Sequence, residues 1–186
     1  MKYNFRIVII VISLFFSISG NAKKAFMAFE KIVQDADLII TGNIVSVKEN
    51  SYILRINRVL KGNTDSIIEI QKFNEWTCDI RYAKHTVGEK LCLLLEQKSG
   101  KWEIINGSCG ELPVKDDSLN VHQYQFEKSA GTNKQFSISL NDFSNAIIAL
   151  QKSNQPGRSE ANQSVFEQWL FEKIKTSKIK NTGITI

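Results

Sequence analysis

Proline is almost missing from this sequence, with two residues in 186, and no low-complexity run accompanies them. That excludes collagen-like and proline-rich disordered chains. Histidine is as scarce. His85 and His122 stand at no fixed spacing to Cys, Asp or Glu that resembles a zinc site, so they read as surface or hydrogen-bonded residues rather than ligands. There is no glycine-rich phosphate loop and no exposed-serine elbow. Asp116-Asp117 are adjacent rather than helically spaced and read as loop solvation, not as an acid and base pair. A Cys-His nucleophile could be assembled only from Cys78 or Cys92 with His85; oxidation would remove the first cysteine and burial the second. The residues therefore predict no catalytic, cofactor or metal site, and a protein that is not an enzyme.

What is present has globular proportions. Hydrophobic residues make up 42% and charged residues 23% of the chain, a length and composition that suit one domain, or one domain with a short appendage. Lys2 and Arg6 precede an apolar run over 7–16, and Gly20-Asn21-Ala22 follow it, the charged, apolar and cleavable order of a secretory signal peptide. Cleavage is expected after Ala22. A retained anchor is the rival reading, but Ser13, Ser17, Ser19, Gly20 and Asn21 interrupt a stretch that would need about 20 apolar residues to span a bilayer. No cysteine stands where a lipoprotein signal requires one. The expectation is a soluble, exported (periplasmic or extracellular) protein without stable membrane insertion.

Cleavage would remove Lys2 and Arg6 and leave a chain less basic than the +5 of the full sequence. Lysines concentrate only at Lys173, Lys175, Lys178 and Lys180, without interleaved aromatics, so a solvated face is expected there and no nucleic-acid partner.

Residues 25–36 place Phe26, Phe29, Val33 and Ala36 on one helical face. Five short strands rich in Ile, Val and Leu follow, at 38–47, 52–60, 67–72, 91–95 and 102–105. Five strands of this size suit a small closed or partly closed barrel. Val59 and Leu60 break the alternation of the second strand, which predicts a bulge near Asn57 or Arg58; Gly42 marks a similar site in the first. After Pro113 the chain turns polar, with one more strand expected at 121–126 and a loop at 128–134. Ser139 or Asn141 can cap a helix whose Phe143, Ala146, Ile147 and Leu150 share a face, and a last helix over 163–175 presents Phe166, Trp169, Leu170 and Ile174. The expected organisation is a signal peptide over 1–22, a barrel with its N-terminal helix over 23–114, and an extension over 115–186 whose two helices pack on the barrel.

The segment Ala36-Asp37-Leu38-Ile39-Ile40-Thr41-Gly42-Asn43-Ile44-Val45-Ser46-Val47 is followed by Arg58-Val59-Leu60-Lys61-Gly62, by Cys78, by Val87-Gly88-Glu89-Lys90-Leu91-Cys92-Leu93-Leu94, and by Gly107-Ser108-Cys109-Gly110. This order resembles the bacterial relatives of the tissue-inhibitor-of-metalloproteinase (TIMP) and netrin-like domains, over residues 36–110. The resemblance implies a mainly β fold with flanking helices, a five-stranded OB-like barrel. It also implies a bridge between Cys78 and Cys109, leaving Cys92 as the odd cysteine, a buried structural thiol or else a reactive or dimer-forming one. The animal inhibitors chelate a protease zinc through an N-terminal cysteine. Here the mature chain would begin Lys23-Lys24-Ala25, so that device is missing and inhibition of metalloproteinases does not carry over.

Phe73, Trp76 and Tyr82 cluster around Cys78 in the long connection between the third and fourth strands. They either cover the disulfide and the barrel mouth or form a binding loop on a rigid scaffold. The function expected is an exported, non-enzymatic binding module whose partner is an unidentified protein or extracellular polymer. Inhibition of an exported protease through a barrel loop is the alternative, and a thiol-dependent or hydrolytic enzyme comes third.

Overall fold

The structure, a computed structural model, describes residue 27 and residues 29–76, 79–122 and 135–153. Helix α1 (Phe29–Asp35) opens it and buries Phe29, Ile32, Val33 and the following Ala36 along one side. Five strands then form a closed barrel: β1 (Leu38–Val47), β2 (Ser51–Lys61), β3 (Ile67–Gln71), β4 (Lys90–Lys98) and β5 (Lys101–Ile104). They run in the order β1-β2-β3-β5-β4, and β1 pairs back onto β4 from Leu38↔Leu95 to Asn43↔Lys90. All these pairs are antiparallel except β3 with β5, a short parallel seam at Ile70↔Trp102 and Gln71↔Glu103. The molecule is mainly β, an OB-like barrel with flanking helices.

Period-two alternation explains why β1 and β4 read as unbroken apolar runs. Leu38, Ile40, Leu91, Leu93 and Leu95 point into the barrel with Tyr52, Leu54, Ile68 and Ile70. Their neighbours Ile39, Cys92 and Leu94 point the other way, into a second cluster shared with the helices. Each such strand is thus buried on both faces, and each fully buried aliphatic side chain contributes about 1.5–3 kcal/mol.

The expected bulge lies at Asn57: Thr41 faces Arg58 while the next residue, Gly42, faces Ile56. The register shifts again between Ile40↔Val59 and Ile39↔Lys61, and Leu60 at that second shift is buried in the cluster shared with the helices while Val59 is exposed. Gly42 is required beside the Asn57 bulge, because a Cβ there would lie 2.5 Å from the Arg55 carbonyl oxygen. The two backbones meet too closely for any side chain.

Three further strands extend from the barrel wall: β6 (Glu111–Lys115) on β4, then β7 (Ser118–His122) and β8 (Gln135–Ser139). This corrects the reading after Pro113. Pro113 sits inside β6, opposite Leu91, rather than ending the strand region. Asp116 and Asp117, both left-handed with φ near 50°, form the two-residue turn of a β6–β7 hairpin, as a primed turn requires. The strand placed at 121–126 therefore begins earlier, at Ser118, and β8 was not anticipated.

Helix α2 (Leu140–Ser153) follows directly. Ser139 caps it, its Oγ accepting from the Asp142 N–H at 3.4 Å. Phe143, Ala146, Ile147 and Leu150 are buried as the spacing predicted, with Phe143 tilted against Phe29 of α1 at 6.0 Å. The signal segment and the helix expected at 163–175 lie outside the described residues.

Candidate functional site

The connection 72–89 leaves β3 and joins β4 at the end of the barrel where β2 and β4 begin. The described residues of this strap, 72–76 and 79–89, have little regular structure and are held by three polar attachments besides the bonds of Lys72 to Lys48, Glu49 and Asn50.

The first is at Asp79, buried with 6% exposure. Trp76 and Asp79 exchange main-chain hydrogen bonds, Asp79 N to Trp76 O at 2.8 Å and Trp76 N to Asp79 O at 3.2 Å. The Asp79 carboxylate accepts from the Ser108 N–H at 3.1 Å and from the Ser108 hydroxyl. Gly107 makes room for it, since a Cβ there would lie 1.9 Å from Asp79 Oδ2.

The second attachment is a buried charge cluster centred on Glu111, the first residue of β6, whose side chain is fully enclosed. Arg81 Nε donates to Glu111 Oε1, Arg81 Nη2 donates to Glu89 Oε1 at 2.8 Å, and Nη1 donates to the Ala83 carbonyl. His85 Nε2 lies 3.1 Å from Glu111 Oε2, which also accepts from the Tyr52 hydroxyl at 3.2 Å. The His85 ring packs on Tyr52, with centroids 4.6 Å apart. Tyr82 covers Arg81, its ring 4.5 Å from the guanidinium carbon, and its hydroxyl donates to Glu89.

The third attachment is main chain. Gly88 N donates to Ile44 O at 2.7 Å, Ile44 N to Glu89 O at 2.9 Å, and Asn43 Nδ2 to Gly88 O at 3.1 Å. These bonds prolong the β1–β4 ladder into the strap.

Burial opposes ionisation of Glu111, but the His85 hydrogen bond and the Arg81 charge outweigh it and hold this carboxyl below the usual glutamate range. Burial likewise works against the Arg81 guanidinium, and the charge of Glu111 with the Glu89 hydrogen bond holds it protonated more firmly than usual. Burial and then Glu111 push the Tyr52 phenol well up, so it stays a donor. A cluster of this kind fixes geometry: it fastens a loop by directional bonds that have no substitute partner inside the protein.

Of the binding-loop residues predicted from sequence, Phe73 is half-buried against the barrel interior, whereas Trp76 is 37% and Tyr82 50% exposed. Ile80 at 63% and Val87 at 67% add two apolar side chains that sequence reasoning did not single out. Asp79 and Arg81 point inward between these outward residues.

Cys78 lies outside the described residues, so its pairing is not described. Cys109 is buried in a 3-10 turn (Gly107–Cys109). Cys92 is fully buried, and burial pushes its thiol up to about 12. It faces the helix-side cluster while His85 lies against Tyr52 of the barrel interior, so the structure does not bring these two together as a nucleophile and base.

Sequence reasoning missed Arg81, Glu89 and Glu111 as a group, whereas His85, read as a surface or hydrogen-bonded residue, is indeed hydrogen-bonded, to Glu111. The one available signal was local. Glu111 and Arg81 are single charges set in apolar surroundings, Gly110-Glu111-Leu112-Pro113-Val114 and Ile80-Arg81-Tyr82, where an ion needs a partner. Among the described residues no group of three or more His, Cys, Asp or Glu could hold a metal ion, and no helix is long and apolar enough to cross a membrane. Comparison with protein-family models and with curated proteins returned no match.

Proposed function

We propose that this protein is an exported, non-enzymatic binding module of the TIMP-like or netrin-like type, and that it engages a protein or extracellular polymer through the strap 72–89. The observation that carries this reading is the division of labour within the strap. Asp79, Arg81 and His85 are used up in inward attachments, while Ile80 between them and Trp76 and Val87 on either side remain exposed. A loop fixed in this way loses little conformational freedom when it binds, so its apolar side chains contribute more of their burial to affinity. Exposed aromatic anchors on a rigid frame are the usual makings of a binding hot spot.

The test is capture from envelope extract with the mature protein as bait. Trp76→Ser and Ile80→Ser should each reduce recovery of a saturable partner without altering the circular dichroism spectrum. Tyr82 is a poor choice for this purpose, because it also covers Arg81. Recovery unchanged in the double variant would overturn the strap as the binding surface.

The same rigidity favours a second reading, inhibition of an exported protease that receives the strap in its cleft without the N-terminal zinc-chelating device. Titration of exported proteases with the purified protein separates the two.

We also read Cys78 and Cys109 as a disulfide. Their chain neighbours Asp79 and Ser108 are hydrogen-bonded to one another, which supports this reading. Non-reducing peptide mapping should recover that bridge and leave Cys92 unmodified until the protein is denatured.

A further inference from the structure

A hollow runs beside the start of the strap along the β3–β5 seam, in two adjoining parts of about 530 and 610 Å³ that share Gln71 and Lys101. Its floor includes an unfinished sheet edge. Ile56 N donates to Ser66 O and Lys72 N to Asn50 O, so the even-numbered residues of this segment direct their main-chain groups toward β2. By antiparallel alternation, Ile67, Glu69 and Gln71 direct theirs outward. On that side β5 engages β3 only at Ile70 and Gln71. The main-chain groups of Ile67 and the N–H of Glu69 are left without a strand partner among the described residues, and the Ile67 side chain is 51% exposed.

The hollow is acidic in a chain whose net charge is +5. Glu49, Asp65, Glu75 and Glu103 line it with no ion-pair partner among the described residues. Two lysines line it as well: Lys72, which donates to the Lys48 and Glu49 carbonyls at 2.6 and 3.0 Å, and Lys101, so that with Glu69 the carboxylates outnumber the cations.

We propose that this hollow receives an extended, lysine- or arginine-bearing peptide segment of a partner protein, laid beside the free edge of β3 with its cations among these carboxylates. Three features select that occupant. The open main-chain groups need an extended backbone to pair with them. The excess of carboxylates over lysines favours cations and repels nucleic acid and other polyanions. The exposed Ile67 offers apolar contact to alternate side chains. The proposal deepens the binding-module reading and rests on it only for the partner's being a protein.

The test needs no knowledge of that partner. The probe is a short synthetic peptide alternating lysine and valine, compared with its glutamate-valine and serine-valine counterparts and with a cationic glucosamine oligomer, at physiological salt. The lysine peptide should bind best, and it should slow amide hydrogen exchange at Ile67 and Glu69. Glu75→Lys, at an exposed position, with Glu103→Lys, at a half-buried one on β5, should weaken it by about tenfold or more, whereas Trp76→Ser should leave peptide binding intact. Equal binding of the glutamate peptide, or indifference to the two charge reversals, would overturn the charge argument. Binding of the glucosamine oligomer in preference, or unchanged exchange at Ile67 and Glu69, would overturn the extended peptide as occupant. Loss of envelope capture in the strap variants with peptide binding retained would leave this site standing and separate its fate from that of the strap.

Discussion

The barrel interior and the strap lie against each other and are held by opposite means. Leu38, Ile40, Leu91, Leu93 and Ile70 cohere through apolar packing, which is non-directional and tolerates exchange of one aliphatic residue for another. The strap has few apolar contacts of its own and is fastened by Glu111, Arg81, His85 and Asp79, each through bonds of fixed direction. Packing gives the molecule most of its stability, and the charge cluster gives one loop a single position. The contrast predicts different responses to substitution in the two regions.

The largest effect is expected from breaking the cluster on one side only. Glu111→Ala leaves the Arg81 guanidinium enclosed without its main counter-charge and should destabilise the protein by about 3–5 kcal/mol, read from urea unfolding. Replacing Arg81 and Glu111 together by apolar residues of similar size should recover most of that loss while releasing the strap, seen as faster amide exchange over 80–88. If the double variant is as unstable as the single one, the cluster contributes net stability and the contrast with the barrel fails.

Leu93→Ala, in the barrel wall, should cost about 2–5 kcal/mol through lost burial and the cavity left behind. Leu93→Met should cost less than about 1.5 kcal/mol. A large loss for both would mean that the barrel interior is as geometrically demanding as the strap.

Acid separates the regions without mutation. Glu111 titrates below its unfolded value, so the stability it contributes is fully present above the ordinary glutamate range, about pH 4.3, and is lost as pH falls through its lower folded value. Unfolding followed across that range should show a pH-dependent loss in the native protein that is absent from the Arg81 and Glu111 double variant. An identical pH profile in the two would assign the acid sensitivity to other carboxylates.

The smallest change is expected at the outer side of the strap. Ile80→Ser should alter stability by no more than about 0.5 kcal/mol, because 63% of that residue is exposed. A substantially larger loss, measured by thermal unfolding, would make Ile80 part of the packing rather than of a binding surface.

These differences also govern what the sequence disclosed. The five barrel strands, the Asn57 bulge and the buried face of α2 follow from periodicity, which leaves a trace in every apolar residue. β6 was obscured because its proline and the two aspartates after it resemble a loop, although they make a strand and a tight turn. The cluster left no periodic trace at all. Tyr52, Arg81, His85, Glu89 and Glu111 come from three separate stretches of chain and meet only once the barrel has closed, so nothing in their spacing marks them as partners. The strap's aromatic residues were visible as a composition, but which of them face outward depended on those hidden attachments.

The pairing of β1 with β4 has a consequence for the order in which the chain can fold. β1 and β2 form a hairpin from adjacent sequence, but the other edge of β1 must wait for β4, since Leu38 pairs with Leu95 and Asn43 with Lys90. Closure is therefore a long-range event of the kind that slows folding, and the strap can be fastened only afterwards, when Glu89 and Glu111 are in place. Cys92 rides on β4 and is enclosed by the same step. Before closure its thiol is open to solvent; after closure it is sealed, and any reagent for it must wait until the barrel reopens.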